Sequence, residues 1–416
     1  MWEDAEVEVL RLSSSDSLRI TTEIIENERY DRRCPGCKYG GGRTRFGRGN
    51  VTMQKTLPGR YYTDERIFRV EMERFYFGMW VCAGRNEQVA EKGQYFLVEV
   101  AGESVIVTRD GSGEVRAFYN VCRHRGTRMC VEAEGTFAGR IQCPYHGWTY
   151  GLDGKLLGAP HMEAGEFRRE DYPLHEVKAE IWDGHIFLHL GKEARPLREQ
   201  LLNLPEKFAA WRMEELRVWK RATYEVKANW KLIVQNYNEC LHCPLLHPTL
   251  SRMTDTMSGE NDEPTQSYIG GSMDFRGGAE TMSTDGVRRR ACLPGLNEEQ
   301  RKTVLYYAIY PNLFLSLHPD YVMVHRLWPR AVDRTEVATE WLFHPAEIAK
   351  ANFSGADAVD FWDKTNREDW MISELSQKGI GSRAYVPGPY STMEGLPGAF
   401  DRMILEREKE RDPEAG

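Results

Sequence analysis

The sequence lacks any apolar run long enough to cross a membrane and has no excess of positive charge. No stretch of about eighteen consecutive apolar residues occurs, and residues 1–4 do not begin the basic-then-apolar order of a signal peptide. We therefore expect a cytoplasmic protein with no membrane partner. The formal net charge is -8, and a surface that neutralises phosphates needs more Lys and Arg than acidic residues. Nucleic acid is therefore not an expected partner.

Cysteine is scarce and irregularly spaced. Nine cysteines in 416 residues are unlike the dense, even-numbered framework of a small secreted domain. We expect metal ligation and buried thiols instead, with Cys130 as a packed thiol. Cys34 and Cys37 form one Cys-x-x-Cys arm with no second arm and no βαβ pattern around it, so we assign them no metal or redox role.

The pattern along the chain predicts an α+β protein with two domains after a polar start. Residues 1–57 include a Gly/Arg tract with little to bury, and we predict a flexible extension. Residues 58–200 contain one helical segment and then short β-branched runs between turns, which predict an antiparallel β domain. Residues 201–416 mix strands and helices. The stretch 253–286 has no clear periodicity, and we interpret it as a candidate lid.

Two short arms, each with one Cys and one His, predict a first metal site. Cys122 and His124 form one arm, and Cys143 and His146 form the other. A Rieske [2Fe–2S] cluster binds one iron through two Cys and the other through two His, and two mixed arms fit that division. The alternative is a tetrahedral zinc site, but zinc sites of this composition usually pair Cys with Cys and His with His.

A second set of residues predicts a mononuclear Fe(II) site. Residues 229–242 have the pattern of a helix, which Pro244 should end near residue 243. His242 would then lie in the last turn with Glu239 one turn behind it, and His247 would lie in the following loop. Two His and one carboxylate on one face leave positions open for O2 and substrate.

The third ligand of that site must come from another part of the chain. A helix is predicted over residues 357–377, and on it Asp363 lies among charged residues that suggest a solvated surface. Asp369 lies instead on the apolar stripe with Trp362 and Ile372, where a buried charge needs a cation. We therefore predict Asp369 as the carboxylate ligand.

Both motifs resemble those of the Rieske non-haem iron oxygenases. Residues 122–127 and 143–149 resemble the cluster-binding loops of that family, and Glu239-x-x-His242-x4-His247 resembles its iron motif. The resemblance covers residues 58–400 and implies a Rieske domain followed by a helix-grip catalytic domain. Most members carry Asp where this chain has Glu239. Glu is found in the subgroup of glycine betaine, carnitine and choline monooxygenases.

The resemblance also implies partners and an electron path. It implies a homotrimer in which the cluster of one subunit serves the iron of the next, with electrons from an NAD(P)H-dependent reductase. The implied path runs through His146 of one chain to Glu239 and His242 of the next, which makes Glu239 the catalytic bridge. A simple electron-carrying Rieske protein would need only the first domain.

The resemblance to that subgroup leads us to expect oxidation of an N-methyl group by O2. The expected substrate is a small quaternary ammonium compound, glycine betaine before others, and formaldehyde is the expected by-product. A cationic head without hydrogen-bond donors is recognised by aromatic faces, and we expect Tyr237, Tyr306, Tyr310 and Phe314 to supply them. The alternative within the family is the α subunit of an aromatic-ring dioxygenase.

Overall fold

The architecture is described from a computed structural model that covers residues 8–10, 54–162, 165–256 and 258–409. Most of the extension predicted for residues 1–57, with Cys34 and Cys37, lies outside these ranges. Glu8–Leu10 form strand β1, which pairs in parallel with residues 222–224. No helix within the described ranges combines the length and the apolar character that a membrane span requires.

The first domain opens with two short helices, α1 (Arg60–Thr63) and α2 (Glu65–Glu71). Asp64 ends the first and caps the second, because its carboxylate accepts a hydrogen bond from the amide of Arg66 at 2.8 Å. The chain continues as a wider π-helical turn over Met72–Phe77. The predicted helical segment is therefore present.

The first domain consists of two antiparallel sheets. The larger sheet has seven strands in the order β2-β11-β10-β5-β4-β3-β6, and the smaller has the order β7-β8-β9. Both faces of β3 are covered, since Phe96, Val98 and Val100 belong to one buried cluster and Tyr95 belongs to another. In chain order the strands are β2 Val81–Arg85, β3 Gln94–Val100, β4 Glu103–Arg109, β5 Val115–Tyr119, β6 Glu134–Thr136, β7 Arg140–Gln142, β8 Thr149–Gly151, β9 Leu156–Gly158, β10 Glu176–Trp182 and β11 His185–His189.

The second domain is built on one long sheet with the order β1-β12-β17-β16-β15-β14-β13. Its strand pairs are antiparallel apart from the edge pair with β1. Two helices, α3 (Leu197–Leu201) and α4 (Leu204–Phe208), lead into it. The strands are β12 Arg217–Val226, β13 Tyr268–Asp274, β14 Thr303–Ile309, β15 Leu313–Leu317, β16 Val322–Ala331 and β17 Arg334–Phe343.

A helix of 25 residues packs on this sheet. It contacts strand residues that are far from it in sequence. The helices of the domain are α5 Trp230–Tyr237, α6 Cys243–Leu246, α7 Pro248–Met253, α8 Pro345–Ile348, α9 Ala356–Ile380 and α10 Gly395–Lys409. Tyr224 of β12 donates a hydrogen bond to Asp363 of α9 at 2.7 Å. The ring of Trp370 lies 6.2 Å from the ring of Tyr224. A sheet covered by a long helix is the predicted helix-grip arrangement.

Strand β13 was not expected from the sequence. It lies inside the stretch 253–286 that we interpreted as a candidate lid, and it pairs along its whole length with β14. Gly270 and Gly271 weaken the strand signal, since glycine has a low β propensity. Gly271 is nevertheless required here, because a Cβ atom at this position would lie 2.5 Å from the carbonyl oxygen of Glu260. The stretch is therefore partly regular structure.

The two domains share one interface rather than being joined by a free linker. The amide of Cys82 donates to the side chain of Asn312 at 2.9 Å, and that side chain donates back to the carbonyl of Cys82 at 3.0 Å. Apolar residues of both domains, among them Trp80 and Leu313, belong to one buried cluster. The domain boundary near residue 200 remains a prediction.

Candidate metal centres

Two turns with the same hydrogen-bond pattern carry the first set of predicted ligands. The carbonyl of Cys122 accepts from the amide of Gly126 at 3.0 Å, and the amide of Cys122 donates to the carbonyl five residues further on at 2.9 Å. Cys143 makes the equivalent bonds, with the amide of Gly147 at 3.1 Å and with the carbonyl five residues further on at 2.8 Å. Gly126 and Gly147 have φ angles of 75° and 71°, which glycine adopts without strain. The two arms are structurally equivalent.

The turns bring both cysteines and both histidines to one end of the domain. Cys122 and Cys143 are buried, and the rings of His124 and His146 lie 4.6 Å apart. Trp148 stacks on His124 at 4.9 Å with nearly parallel planes. The Nδ1 atom of His146 is buried and has no hydrogen-bond partner in the described part of the chain. A buried nitrogen without a partner is unusual and fits a position reserved for a ligand.

The spacing of these donors distinguishes a cluster from a single zinc ion. Tetrahedral zinc with ligands at about 2.0–2.3 Å places its donor atoms within roughly 4 Å of one another. Among the described residues, only His242, His247 and Asp369 bring three candidate ligand atoms within 4.8 Å of one another. The four Cys and His donors of the first domain are spread more widely, as two irons require. The residues present fit a [2Fe–2S] cluster.

His242 lies in a loop, not in the last turn of a helix as the sequence predicted. Helix α5 ends at Tyr237, because the side-chain amide of Asn238 donates to the carbonyl of Val234 at 2.6 Å and closes the helix. Pro244 lies in the first turn of the new helix α6 rather than at the end of α5. The predicted helix was too long by about one turn. The contact expected between Glu239 and His242 is nevertheless present at 2.5 Å.

Helix α9 supplies the third predicted ligand. Asp369 Oδ1 lies 2.8 Å from Nε2 of His247 and 3.3 Å from Nε2 of His242. One oxygen therefore faces both imidazoles. Asp363, which we predicted on a solvated surface, is half-buried and binds Tyr224 and Arg367. The helix places only Asp369 of these two acids at the histidines.

Each imidazole also contacts a carboxylate of its own through Nδ1, the ring nitrogen that does not face Asp369. Nδ1 of His242 lies 2.5 Å from Glu239, and Nδ1 of His247 lies 2.7 Å from the buried carboxylate of Glu368. These contacts fix the tautomer that leaves both Nε2 atoms facing Asp369. Glu368 is one of the charged residues near Asp363 that we expected on a solvated surface, but the structure buries it, because its carboxylate pairs with His247.

The charges around the two imidazoles are those of a cation site. Burial alone would lower the pKa of His242, but Asp369 and Glu239 outweigh it and raise the pKa to about 10. For His247, burial is likewise outweighed by Asp369 and Glu368, and the pKa rises to about 9. Burial would raise the pKa of Asp369, but the two histidines lower it to about 2. Two histidines and a carboxylate are the donors that Fe(II) oxygenases use, and the residues present fit that ion.

A cavity of about 180 Å³ adjoins the three donors. Its lining includes Glu239, His242, His247 and Asp369 at one end and the aromatic side chains of Tyr237, Tyr306 and Trp362 beside them. None of its described lining residues is Lys or Arg. Sites for drug-sized ligands have volumes of about 300–1,000 Å³, so this cavity suits a smaller molecule.

Comparison with known families finds two matching domains along the chain. The Rieske [2Fe-2S] domain matches residues 79–178, and the ring hydroxylating alpha subunit (catalytic domain) matches residues 213–410. The glycine betaine monooxygenase oxygenase subunit of Pseudomonas aeruginosa PAO1 is 30% identical over 364 residues, which cover 81% of this chain and 85% of that protein. The chain belongs to the Rieske non-haem iron oxygenases.

Other matches agree with this assignment. The carnitine monooxygenase oxygenase subunit of Escherichia coli K12 is 36% identical over 199 residues, 47% of this chain and 53% of that protein. The Rieske monooxygenase CntA, solved with L-carnitine, shares the fold with a TM-score of 0.71 at 23% identity, over 86% of this chain and 96% of that one. Naphthalene 1,2-dioxygenase from Rhodococcus sp. gives 0.66 at 19% identity, over 85% and 93%.

Membership confirms the expected fold class, enzyme class and cofactors. The oxygenase is an oxidoreductase whose first domain binds a [2Fe–2S] cluster and whose second domain binds mononuclear Fe(II). The assignment of individual residues to these cofactors remains a proposal, which the donor geometry described above supports.

Only two of the four aromatic residues that we predicted as substrate contacts line the cavity. Tyr237 and Tyr306 line it. Phe314 lies behind Tyr237, with the two rings stacked at 4.3 Å. Tyr310 lies in the turn after β14 and packs on Phe400, with ring centres 5.4 Å apart. The expected direct contact of Tyr310 and Phe314 with substrate is therefore not supported by their positions.

Trp362 lines the cavity but was not among the predicted contacts. It lies two turns before Asp369 on α9, on the stripe that identified the carboxylate, so the helical spacing alone could have indicated it. Its indole nitrogen donates to the hydroxyl of Tyr321 at 2.7 Å, which fixes the ring.

The expectation that cysteines outside the cluster are thiols is wrong for two of them. A disulfide joins Cys240 and Cys243, so it links the residues that flank His242. Cys130 is a buried thiol as expected, and burial raises its pKa to about 11. The pair at 240 and 243 constrains the loop that carries the predicted iron ligand.

Proposed function

We propose that this oxygenase hydroxylates an N-methyl group of a small quaternary ammonium compound, with glycine betaine as the foremost substrate. The observation that carries the proposal is the small cavity beside the iron donors, lined by three aromatic residues and, among its described residues, by no Lys or Arg. Relatives named as glycine betaine and carnitine monooxygenase oxygenase subunits support the same substrate class.

The aromatic residues suit a permanently cationic head. The Tyr306 ring lies 6.1 Å from the rings of both Tyr237 and Trp362, and both neighbours are close to perpendicular to it. Because the rings are close to perpendicular, their faces can contact a cation in the cavity from two directions. Each face contributes about 0.5–2 kcal/mol to binding a cation, and a trimethylammonium group needs no hydrogen-bond acceptor.

The reaction consumes O2, two electrons and two protons. One oxygen atom becomes the hydroxyl of an N-hydroxymethyl group and the other leaves as water, and the product then loses formaldehyde and a proton to give the tertiary amine. When bound, the cluster supplies the electrons and the iron supplies O2 activation. The protein residues that line the cavity bind and orient the substrate.

We assign the cluster to Cys122, His124, Cys143 and His146, and the iron to His242, His247 and Asp369. The close grouping of His242, His247 and Asp369 supports the iron assignment. The two equivalent turns and the neighbouring rings of His124 and His146 support the cluster assignment. The carboxylates of Glu239 and Glu368 hold the two imidazoles in place.

Glu239 is proposed as the bridge between subunits. It lines the substrate cavity and also a larger depression of about 620 Å³ on the other side of His242. The depression is open to the surface and includes residues of the C-terminal segment, among them Tyr385 and Tyr390. A side chain that faces both spaces is suited to connect the iron site with a docked partner.

Exposed apolar side chains near both sites support a head-to-tail homotrimer. Val131 and Tyr145, beside the cluster loops, are 81% and 57% exposed. Leu245 and Val386, near the depression, are 76% and 74% exposed. Exposed apolar side chains of this kind can be covered by a neighbouring subunit, and a head-to-tail contact that closes forms a ring. A reductase that takes electrons from NAD(P)H completes the proposed system.

The test supplies the oxygenase with a reductase, NADH and O2 and measures formaldehyde. Glycine betaine should release formaldehyde in proportion to the NADH consumed, and carnitine and choline should compete with it. An aromatic acid is the control substrate for the ring dioxygenase alternative. Turnover of the aromatic acid alone would contradict the proposal.

A further inference from the structure

The three aromatic residues of the cavity differ in how their polar atoms are used. The hydroxyl of Tyr237 donates to the carbonyl of Leu315 at 3.0 Å or to the hydroxyl of Ser316 at 2.9 Å. The indole nitrogen of Trp362 donates to Tyr321. Both side chains are therefore fixed by the protein and offer substrate only their rings.

The hydroxyl of Tyr306 has no such partner. Its oxygen is buried, and no hydrogen bond to it is found within the described part of the chain. Buried hydroxyl groups are nearly always hydrogen-bonded, since leaving one unpaired is unfavourable. Because Tyr306 lines the cavity, the missing partner of its hydroxyl is best supplied by a molecule bound there.

Three other polar side chains of the cavity lining use a donor within the protein. The hydroxyl of Thr365 donates to the carbonyl of Phe361 at 3.0 Å, and the side-chain amide of Asn238 donates to the carbonyl of Val234. At the far end of the cavity, Ser258 donates to the carbonyl of Asp255 at 2.8 Å. Without Lys or Arg among the described lining residues, an oxygen of the substrate must be met by a neutral donor.

We propose that the hydroxyl of Tyr306 donates a hydrogen bond to the oxygen-bearing end of the substrate. This inference rests on the proposed function, and it adds the residue that distinguishes a betaine or choline from a cation without oxygen. The acceptor is a carboxylate oxygen in a betaine or a hydroxyl oxygen in an amino alcohol. Burial raises the pKa of Tyr306 well above 10, so the hydroxyl keeps the proton that it donates.

The test replaces Tyr306 by Phe, which keeps the ring and removes the hydroxyl. The matched control is Tyr310→Phe, because the hydroxyl of Tyr310 is also buried without a partner in the described residues but does not line the cavity. Dissociation constants for glycine betaine, choline and tetramethylammonium are measured by calorimetry on the oxidised holoenzyme. Formaldehyde release is measured with the same three compounds.

In the wild type and in Tyr310→Phe, we expect a preference for an oxygen-bearing compound over tetramethylammonium. In Tyr306→Phe that preference should fall by about 10- to 100-fold, the range for a hydrogen bond to a charged or strongly polar acceptor. The dissociation constant for tetramethylammonium should stay unchanged. Loss for betaine alone identifies a carboxylate acceptor, and loss for choline alone identifies a hydroxyl. The melting temperature of the variant should not fall.

Two results would overturn the inference in distinguishable ways. An unchanged preference, or an equal loss for all three compounds, would show that the hydroxyl does not bind the oxygen end, although the proposed function would stand. Absence of formaldehyde from all three compounds with the wild type would overturn the proposed function and this inference with it.

Discussion

The two proposed metal centres are assembled from the chain in opposite ways. The four donors of the first lie in two turns close in sequence, and each turn is closed by hydrogen bonds between a cysteine and a residue four positions on. The three donors of the second come from the loop after α5 and from the middle of α9, so His242 and Asp369 meet only when the sheet and the long helix have packed. The first site depends on local structure and the second on the tertiary fold.

The two centres also differ in the groups behind their ligands. The imidazoles of His124 and His146 lie among aromatic rings, with Trp148 stacked on one and Tyr145 at 3.7 Å from the other. The imidazoles of His242 and His247 are each backed by a carboxylate. Carboxylates raise the basicity of a histidine ligand and fix its tautomer. The proposed iron site therefore favours metal affinity, whereas the proposed cluster site leaves the side chain of His124 exposed.

The largest expected effect is loss of the cluster in Cys143→Ser. A hydroxyl is a poor replacement for a thiolate ligand, so we expect the visible absorption and all turnover to disappear. If the two sites are independent as their assembly suggests, iron at the second site should remain. Cys130→Ser is the matched control, since Cys130 is another buried thiol of the same domain. Loss of both metals from Cys143→Ser would show that the sites are coupled.

The reciprocal variant is Asp369→Ala. It leaves two imidazoles without their shared carboxylate, so we expect mononuclear iron and turnover to be lost while the cluster spectrum is unchanged. Asp363→Ala is the control on the same helix, because its carboxylate binds Tyr224 and Arg367 and not the histidines. Iron retained in the first variant, or lost in the second, would change the ligand assignment.

Glu239→Gln separates metal binding from turnover. The amide keeps the size of the side chain and can still contact His242, so both metals should be present at saturating iron, while turnover should still fall by about 100-fold, at the upper end for a group behind a metal-bound histidine. Iron content, cluster reduction and formaldehyde are measured together. Glu394→Gln is the control, because Glu394 lines the same outer depression. Product formation near the wild-type rate would refute the bridging role.

The proposed ligands could be chosen from the sequence because their chemistry does not depend on exact element boundaries. Glu239 and His242 are in contact although the helix that we predicted to hold them ends at Tyr237. Three residues of separation keep two side chains close in a helix or in a tight loop. The predicted helix was too long because the side chain of Asn238 ends it through a local hydrogen bond to the carbonyl of Val234. The apolar pattern does not show such a bond.

The substrate contacts were less predictable because they depend on where strands end. Tyr306 and Phe314 do lie on one face of the sheet, as the pairing of β14 with β15 requires. The same alternation was extended to Tyr310, but β14 ends at Ile309 and the chain turns there. Strand boundaries are set by turns and pairing, which a single sequence indicates weakly. Trp362 was overlooked because the cavity depends on packing of the helix against the sheet.

The smallest effect is expected from replacing Glu368, the carboxylate that contacts Nδ1 of His247. Glu368 is buried and accepts from Nδ1 of His247 at 2.7 Å, and it makes no contact with the outer depression that Glu239 lines. In Glu368→Gln, an amide oxygen can still accept that hydrogen bond but carries no charge. We therefore expect iron affinity to fall by about 10-fold, the lower end for such groups, while the cluster is unaffected.

The measurement is iron retained after dialysis against a series of chelator concentrations, with activity after saturation by Fe(II) as the second readout. Saturating iron should restore turnover in Glu368→Gln but not in Glu239→Gln, since the first carboxylate serves affinity and the second is proposed to serve the bridge. Glu374→Gln is the control on α9, because Glu374 accepts from the amide of Lys227 and contacts neither imidazole. If saturating iron fails to restore Glu368→Gln, the two carboxylates have the same role, and the contrast between an affinity group and a bridging group is wrong.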